Sequence, residues 1–285
     1  MNMDMTLYDL HTHSKVSDGS DTPVELVNKA YHAGISVLAL TDHDTVAGCS
    51  SAAAEAKKLG MRFLPGVEIS GKEYSKLHIL GIGIDTDNKD LKDALDKCAA
   101  SRSERTYHIC EYLSSKGVIL DPEKINSTDG NVGKPHIAKE MIARGYVSTV
   151  KEAFDKYLES PEIDKIKKYK LGYMEAADLI HGAGGKVVLA HPYQMKLTDQ
   201  QLDDFIYGFN GLDAIEVFYS RHTPEMASFY LTLADKYGLK ISIGSDYHGT
   251  VKPDISLGTG CDDSLLKLRE QYRVDDSRLV FDGII

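Results

Sequence analysis

Histidines and acidic residues fall at the ends of β-type segments along almost the whole of this 285-residue chain, and that placement limits the folds open to it. Residues 6–10 read as a strand that runs into Asp9-Leu10-His11-Thr12-His13, with Ser17-Asp18-Gly19 just beyond. A second strand over 35–40 ends in Thr41-Asp42-His43-Asp44. A third, over 62–69, carries Glu68, and a fourth, over 77–84, carries His78. Three later strands, over 186–190, 214–218 and 240–244, bring Ala190-His191-Pro192, Glu216 and Ser245-Asp246-Tyr247-His248. When the carboxyl ends of parallel strands meet at one rim of a barrel, side chains this far apart in sequence become neighbours.

Helical patterns separate these strands. Thr22-Pro23 opens one that stops at Ala33-Gly34, with proline in the first turn and glycine at the end. Others are expected over 50–59, 174–183, 199–209 and 224–237. The alternation is that of an α/β chain with a largely parallel sheet or barrel. It stops near residue 88. From there apolar spacing predicts helices over 91–97, 101–116, 135–144 and 150–158. The expected organisation is a barrel built from 1–94 and 171–285, with a helical insertion over 95–170 capping the substrate. Residues 278–281 read as one further strand.

His11 and His13 are two apart on an extended chain, so their side chains share a side and can share a cation. Asp246 and His248 repeat the spacing. Six histidines (His11, His13, His43, His78, His191, His248) and three carboxylates (Asp18, Glu68, Asp246) give nine candidate ligands. A mononuclear site needs three or four. Nine suit two or three divalent ions, and mixed imidazole and carboxylate ligation suits Mn, Fe or Zn. Asp42 and Asp44 alternate away from the ligand His43, and Glu216 is left without a metal to serve. All three are expected to orient or cap rather than ligate.

These motifs resemble the PHP (polymerase and histidinol phosphatase) superfamily, from residue 8 to residue 249. They are Asp9-Leu10-His11-Thr12-His13-Ser14, Ser17-Asp18-Gly19, Thr41-Asp42-His43-Asp44, Gly66-Val67-Glu68-Ile69, His78-Ile79-Leu80-Gly81, Ala190-His191-Pro192 and Gly244-Ser245-Asp246-Tyr247-His248-Gly249. The resemblance implies a distorted (β/α)7 TIM-like barrel with a trinuclear site. His11, His13, Glu68 and Asp246 would hold one ion. Glu68 would bridge to a second held by His78 and His191, and Asp18, His43 and His248 would hold a third. A hydroxide held by the ions of Glu68, Asp246 and His191 is the expected nucleophile.

The chain is most similar to the stand-alone branch that acts on nucleoside 3′,5′-bisphosphates and short 5′-phosphorylated oligonucleotides. Ser101-Arg102-Ser103-Glu104-Arg105, Gly133-Lys134-Pro135-His136 and His222-Thr223-Pro224-Glu225 carry that likeness. Arg102, Arg105, Lys134, His136 and His222 are the expected substrate contacts. The branch commonly has arginine where this chain has Lys134, a point charge without a bidentate fork. An insertion tyrosine such as Tyr107 could stack on a base. A histidinol-phosphate phosphatase, an amidohydrolase and a non-catalytic metal-binding module are the alternatives.

The formal charge of −10 gives no general attraction for duplex DNA or an anionic membrane. Bound cations would reverse the field locally, which favours a small phosphorylated nucleotide or short oligonucleotide. No apolar run approaches the ~18 residues of a membrane span. The opening MNMDMTLYDL lacks a basic and then apolar leader, so a cytoplasmic location is expected, with Cys49, Cys98, Cys110 and Cys261 as free thiols.

Overall fold

Seven strands form one sheet in the order β1 to β7 in the computed structural model, which describes residues 7–127, 131–258, 267, 269–272 and 274–284. They are β1 (Leu7–Asp9), β2 (Ile35–Leu40), β3 (Arg62–Ser70), β4 (His78–Ile82), β5 (Lys186–Leu189), β6 (Ala214–Tyr219) and β7 (Lys240–Gly244). The ring closes where Leu10 N donates to Ile243 O at 2.9 Å and His13 N to Tyr247 O at 2.9 Å. The fold is a distorted TIM-like barrel with surrounding helices.

The sheet is mixed, not wholly parallel. β4 pairs antiparallel with both β3 and β5. The reason lies in chain length: a parallel neighbour needs a crossover of about a dozen residues or more, and only 71–77 join β3 to β4. His78 therefore opens its strand, and reaches the rim because that strand runs the other way.

Helices α1 (Pro23–His32) and α2 (Cys49–Leu59) cover β2. Thr22 caps α1, accepting from Glu25 N while the Glu25 carboxylate accepts from Thr22 N, a capping box with Pro23 at the first turn. Next comes α3 (Lys89–Ser115), continuous where two helices were expected. The link Lys97-Cys98-Ala99-Ala100-Ser101 holds no glycine or proline, so nothing ends the helix. What changes is its partner. Leu91, Leu95 and Cys98 belong to the barrel core, while Ile109, Cys110 and Leu113 belong to a second core. The expected division at 94/95 thus falls inside α3.

The second core is built by α3, α4 (Pro122–Asn126), α5 (Lys134–Ala143), α6 (Val150–Ala153) and α7 (Pro161–Lys165). A π-helical turn, Phe154–Leu158, follows α6 where one uninterrupted helix was expected, and α7 was not foreseen. After it α8 (Tyr173–Gly182), α9 (Asp199–Gly208) and α10 (Pro224–Tyr237) return to the barrel. Residues 278–281 form no strand. A 3-10 turn spans Asp276–Arg278, and the only ladder contact there is the isolated bridge Ile241↔Leu279. Tyr8 meets Phe281 edge-on at 4.9 Å, so the segment's apolar residues plug the barrel floor. Among the described residues no helix is long and apolar enough to cross a membrane. Cys49, Cys98 and Cys110 are buried free thiols, and Cys261 lies outside the described residues.

Barrel closure depends on one missing side chain. A Cβ on Gly244 would lie 2.3 Å from His11 Cβ and 2.6 Å from Glu216 Oε1. Gly244→Ala is expected to destabilise the fold by about 1–3 kcal/mol, as overpacking does, and to lower its metal content. Denaturant unfolding and elemental analysis check this; unchanged values for both would show that the strand closure is looser than described.

Candidate metal centre

The rim is positioned by carboxylates that clamp serines on neighbouring segments. Asp9 accepts from Ser245 N at 2.9 Å and Ser245 Oγ at 2.7 Å, tying β1 to the exit of β7. Asp42 accepts from Ser14 N at 2.8 Å and Ser14 Oγ at 2.7 Å, tying the exit of β2 to that of β1. Asp44 accepts from Ser70 N at 2.8 Å and so holds the end of β3. Hydrogen bonds to ionised groups contribute roughly 1.5–3 kcal/mol each, enough to fix these loops against one another. Among the described residues, three of the four non-glycine residues with left-handed backbone, Asp44, His191 and Asp246, also lie on this rim. Such conformations cost of order 1–3 kcal/mol and persist only where surrounding contacts impose them.

On this frame all nine candidate ligands converge. Their atoms fall into four overlapping groups: His13, Asp18, His43 and His248; His11, His13 and Asp246; His11, Glu68 and His191; and His43, Glu68 and His78. Glu68 is the hub. Its Oε2 lies 3.1 Å from His13 Nε2, 3.4 Å from His11 Nε2 and 2.9 Å from His43 Nδ1. Its Oε1 lies 2.7 Å from His78 Nδ1 and 3.0 Å from His191 Nε2. Asp246 Oδ1 stands 3.3 Å from His13 Nε2 and 3.7 Å from His11 Nε2. Asp18 Oδ1 stands 3.2 Å from His248 Nε2. Two ligands bound at about 2.0–2.2 Å are about 2.8–3.6 Å apart for angles from about 90° to tetrahedral, so most of these spacings suit shared cations.

Which ring nitrogens are engaged makes the same point. His11 Nδ1 donates to Glu216 Oε1 at 3.0 Å, and His248 Nδ1 to the carbonyl of Asp246 at 2.8 Å. Each bond places a proton on the outward nitrogen and turns Nε2 to the centre, where it can serve a cation once its own proton is gone. Among the described residues, buried His11 Nε2, His13 Nε2, His43 Nδ1 and Glu68 Oε2 have no partner in hydrogen-bonding geometry. Buried polar atoms are nearly always satisfied, so four orphans aimed at one centre fit a site built for ions.

The centre is strongly coupled electrostatically. Burial opposes the charge on Glu68, but the imidazoles of His43, His78 and His11 hold its carboxyl well below the usual carboxylate range. Burial also opposes protonation of His13, yet Asp246 and Glu68 raise its pKa to about 9. For His78 burial prevails over Glu68 and lowers it to about 3.

Glu216, read as a non-ligand, holds His11 from behind and accepts from His191 N at 2.7 Å. Arg102 spans from α3 to the rim. Its guanidinium bonds Asp44 Oδ2 through Nε at 2.8 Å and through Nη2, and reaches Ser70 Oγ at 3.2 Å. Lys168, which sequence reading passed over, joins it, with Nζ 3.4 Å from Asp44 Oδ2 and 3.2 Å from Ser70 Oγ. Burial and then the Arg102 charge lower Lys168 to about 7 despite Asp44. Its signal was the run Lys165-Ile166-Lys167-Lys168-Tyr169-Lys170, dense in lysine and without helical periodicity.

The other expected substrate contacts are engaged differently. Arg105 donates from Nε to the carbonyl of Ile166 at 2.7 Å, and Lys134 pairs with Asp164 at 3.3 Å. His136 Nδ1 accepts from Gly133 N at 3.1 Å at the start of α5. His222 leaves its Nε2 without a hydrogen-bond partner among the described residues. It is buried, donates from Nδ1 to the carbonyl of Val217 at 2.9 Å, and packs against Tyr193, Tyr219 and Tyr230. Tyr107 is half-exposed on α3. Sequence reading also missed Tyr219 and Lys252, which both bond Asp246 Oδ2, at 2.8 Å and 2.6 Å.

A family model described as the PHP domain matches residues 9–182. A 5′-3′ exoribonuclease of Haemophilus influenzae is 35% identical over 246 residues, covering 85% of this chain and 89% of that protein. A 3′,5′-nucleoside bisphosphate phosphatase of Chromobacterium violaceum is 32% identical over 259 residues, covering 86% and 88%. The solved structure of a proposed metal-dependent phosphoesterase from Bifidobacterium adolescentis superimposes with a TM-score of 0.80 at 30% identity, covering 93% of this chain and 96% of that one.

Without ions, His11 and His13 both have raised pKa values, and His13, at about 9, holds its extra proton at neutral pH. A cation must displace that proton, so its affinity rises with pH up to about 9 and falls in acid. Titration calorimetry of the metal-free protein with Mn²⁺ at pH 7 in buffers of different ionisation enthalpy is expected to show proton release. Binding with no proton release would mean that these imidazoles are not the ligands.

Proposed function

This chain belongs to the PHP domain family and is a metal-dependent phosphoesterase, and from that premise we propose that it hydrolyses a nucleoside 3′,5′-bisphosphate to the 5′-monophosphate and phosphate. The proposed reading extends to short 5′-phosphorylated oligonucleotides. The named activities of the relatives from Haemophilus influenzae and Chromobacterium violaceum support both substrates. The observation that carries the choice is the Arg102 and Lys168 pair, held by Asp44 immediately beside the ligand His43. A monophosphate has nothing to offer that pair. A bisphosphate with one phosphate at the cluster has a second for it.

The proposed ligands are His11, His13, Asp18, His43, Glu68, His78, His191, Asp246 and His248, for two or three ions of Mn, Fe or Zn. Bound there, divalent ions would neutralise phosphoryl oxygens and acidify water towards neutral pH. The chain's own residues supply the geometry. Glu68 and Asp246 set the spacing of the imidazoles around them, while Glu216 fixes the tautomer of His11. Arg102 offers a planar fork to the second phosphate and Lys168 an ammonium whose charged form the phosphate would favour. Lys134 and His136 stand at the N-terminus of α5, where the positive end of the helix dipole adds to the attraction for an anion.

Adenosine 3′,5′-bisphosphate should release phosphate in the presence of Mn²⁺, and EDTA should abolish the release. Arg102→Ala should raise KM for the bisphosphate by about tenfold or more, the loss of one charge-assisted phosphate contact, with little effect on a slow monophosphate substrate. Faster turnover of histidinol phosphate than of the bisphosphate would sink the substrate assignment. Absence of phosphate release with every divalent metal would sink the reaction.

A further inference from the structure

The mouth has a second set of cations that the bisphosphate reading leaves unused. Arg102 and Lys168 flank the cluster on the side of the β2 and β3 exits, through Asp44 and Ser70. Lys252 lies just beyond β7, Arg221 beyond β6 and Tyr193 beyond β5. In a closed ring of seven strands, β3 is three strands away from both β6 and β7. The two cationic sets therefore face each other across the ligand cluster.

The second set is free to take an anion. Lys252 Nζ lies 2.6 Å from Asp246 Oδ2, with its side chain about one-third exposed at 35%. The same oxygen also accepts from Tyr219 Oη at 2.8 Å, so it stays satisfied if the ammonium turns outward. Among the described residues Arg221 pairs only with exposed Asp254, and a surface pair of this kind is worth about 0–1 kcal/mol. Tyr193 is half-buried and packs at 5.9 Å between ring centroids against Tyr219, the hydrogen-bond partner of Asp246, within electrostatic reach of Arg221 and Lys252. An aromatic ring with two cations nearby suits a sugar-phosphate backbone with a base to stack.

A 3′,5′-bisphosphate has two phosphates, one for the cluster and one for Arg102 and Lys168. A third position on the far side has meaning only for a longer chain. We propose that Lys252 and Arg221, with Tyr193 beside them, bind the phosphate that follows the scissile one in a 5′-phosphorylated oligonucleotide. This rests on the phosphoesterase reading above and assigns the same site a polarity. The 5′ end lies on the insertion side and the downstream strand leaves across the exits of β5 to β7. Water adds to the scissile phosphorus, the bond to the upstream O3′ breaks, and that oxygen leaves protonated. The phosphate stays on the downstream fragment, whose own next phosphate is then held by Lys252 and Arg221. The shortest substrate that fills all three positions is a 5′-phosphorylated trinucleotide.

The test compares kcat/KM for adenosine 3′,5′-bisphosphate, a 5′-phosphorylated dinucleotide and a 5′-phosphorylated trinucleotide, all RNA and Mn²⁺-loaded. Wild type, Arg221→Gln and Lys252→Gln are each assayed, with metal content measured alongside. The dinucleotide lacks the downstream phosphate. Wild type should therefore prefer the trinucleotide over it by about tenfold, the worth of one charge-assisted contact, and both variants should lose that preference while metal content is kept. Arg221→Gln, which leaves Asp246 untouched, guards against a mere loss of ions in Lys252→Gln. Equal turnover of dinucleotide and trinucleotide by wild type would overturn the second flank while leaving the phosphoesterase reading intact. So would variants that lose activity on all three substrates together, or on none. Wild type that hydrolyses none of the three would overturn the reading on which the flank rests.

Discussion

A cage of buried imidazoles and carboxylates can exist only if something other than the cage holds its walls in place. In this chain four acidic side chains do so without facing the centre themselves. Asp9 clamps Ser245, Asp42 clamps Ser14 and Asp44 clamps Ser70, each joining two strand exits, while Glu216 holds both the His11 ring and the His191 backbone. Each accepts several donors, so each is satisfied inside the protein, and the ligand atoms are left over. The orphaned nitrogens of His11, His13 and His43 follow from that arrangement. Their energetic cost is met by the rim and by whatever ions they hold.

The barrel explains how so few local contacts can organise so distant a set. His11 and Asp246 are more than two hundred residues apart, yet β1 and β7 close the ring and bring them to the same side. Gly244 permits that closure at the point where His11 and Glu216 crowd together. β4 is the exception in direction and not in outcome. Running antiparallel, it begins where its neighbours end, and so delivers His78 to the same rim. The insertion adds charge where the barrel has little to spare. Arg102 and Lys168 descend from α3 and the segment after α7 to meet Asp44, giving an acidic chain a locally cationic mouth.

Most of the site was legible because its side chains are of a distinctive type and sit at strand ends, where one residue of spacing fixes a direction. His11-Thr12-His13 and Asp246-Tyr247-His248 needed only the two-residue period of an extended chain. Helices read from apolar periodicity fared less evenly. Two were expected where α3 is one, because its buried stripe changes from one core to another near Ser101 and the periodicity breaks while the helix continues. The direction of β4 could have been read from the short link over 71–77. The strand expected over 278–281 failed for a different reason: an apolar run that plugs a barrel floor looks like one that pairs along a ladder. Lys168, Lys252 and Tyr219 carried no local mark, since a lysine or tyrosine gains its role only from the carboxylate the fold places beside it.

The central claim is that Glu68 is the hub of a multinuclear cluster. Anomalous diffraction from crystals of the Mn²⁺-loaded protein tests it most directly. Peaks for two or three ions are expected within about 2.0–2.3 Å of the nine ligand residues, with a Glu68 oxygen shared between two of them. A protein that stays folded, crystallises and shows no ion at Glu68 would contradict the account.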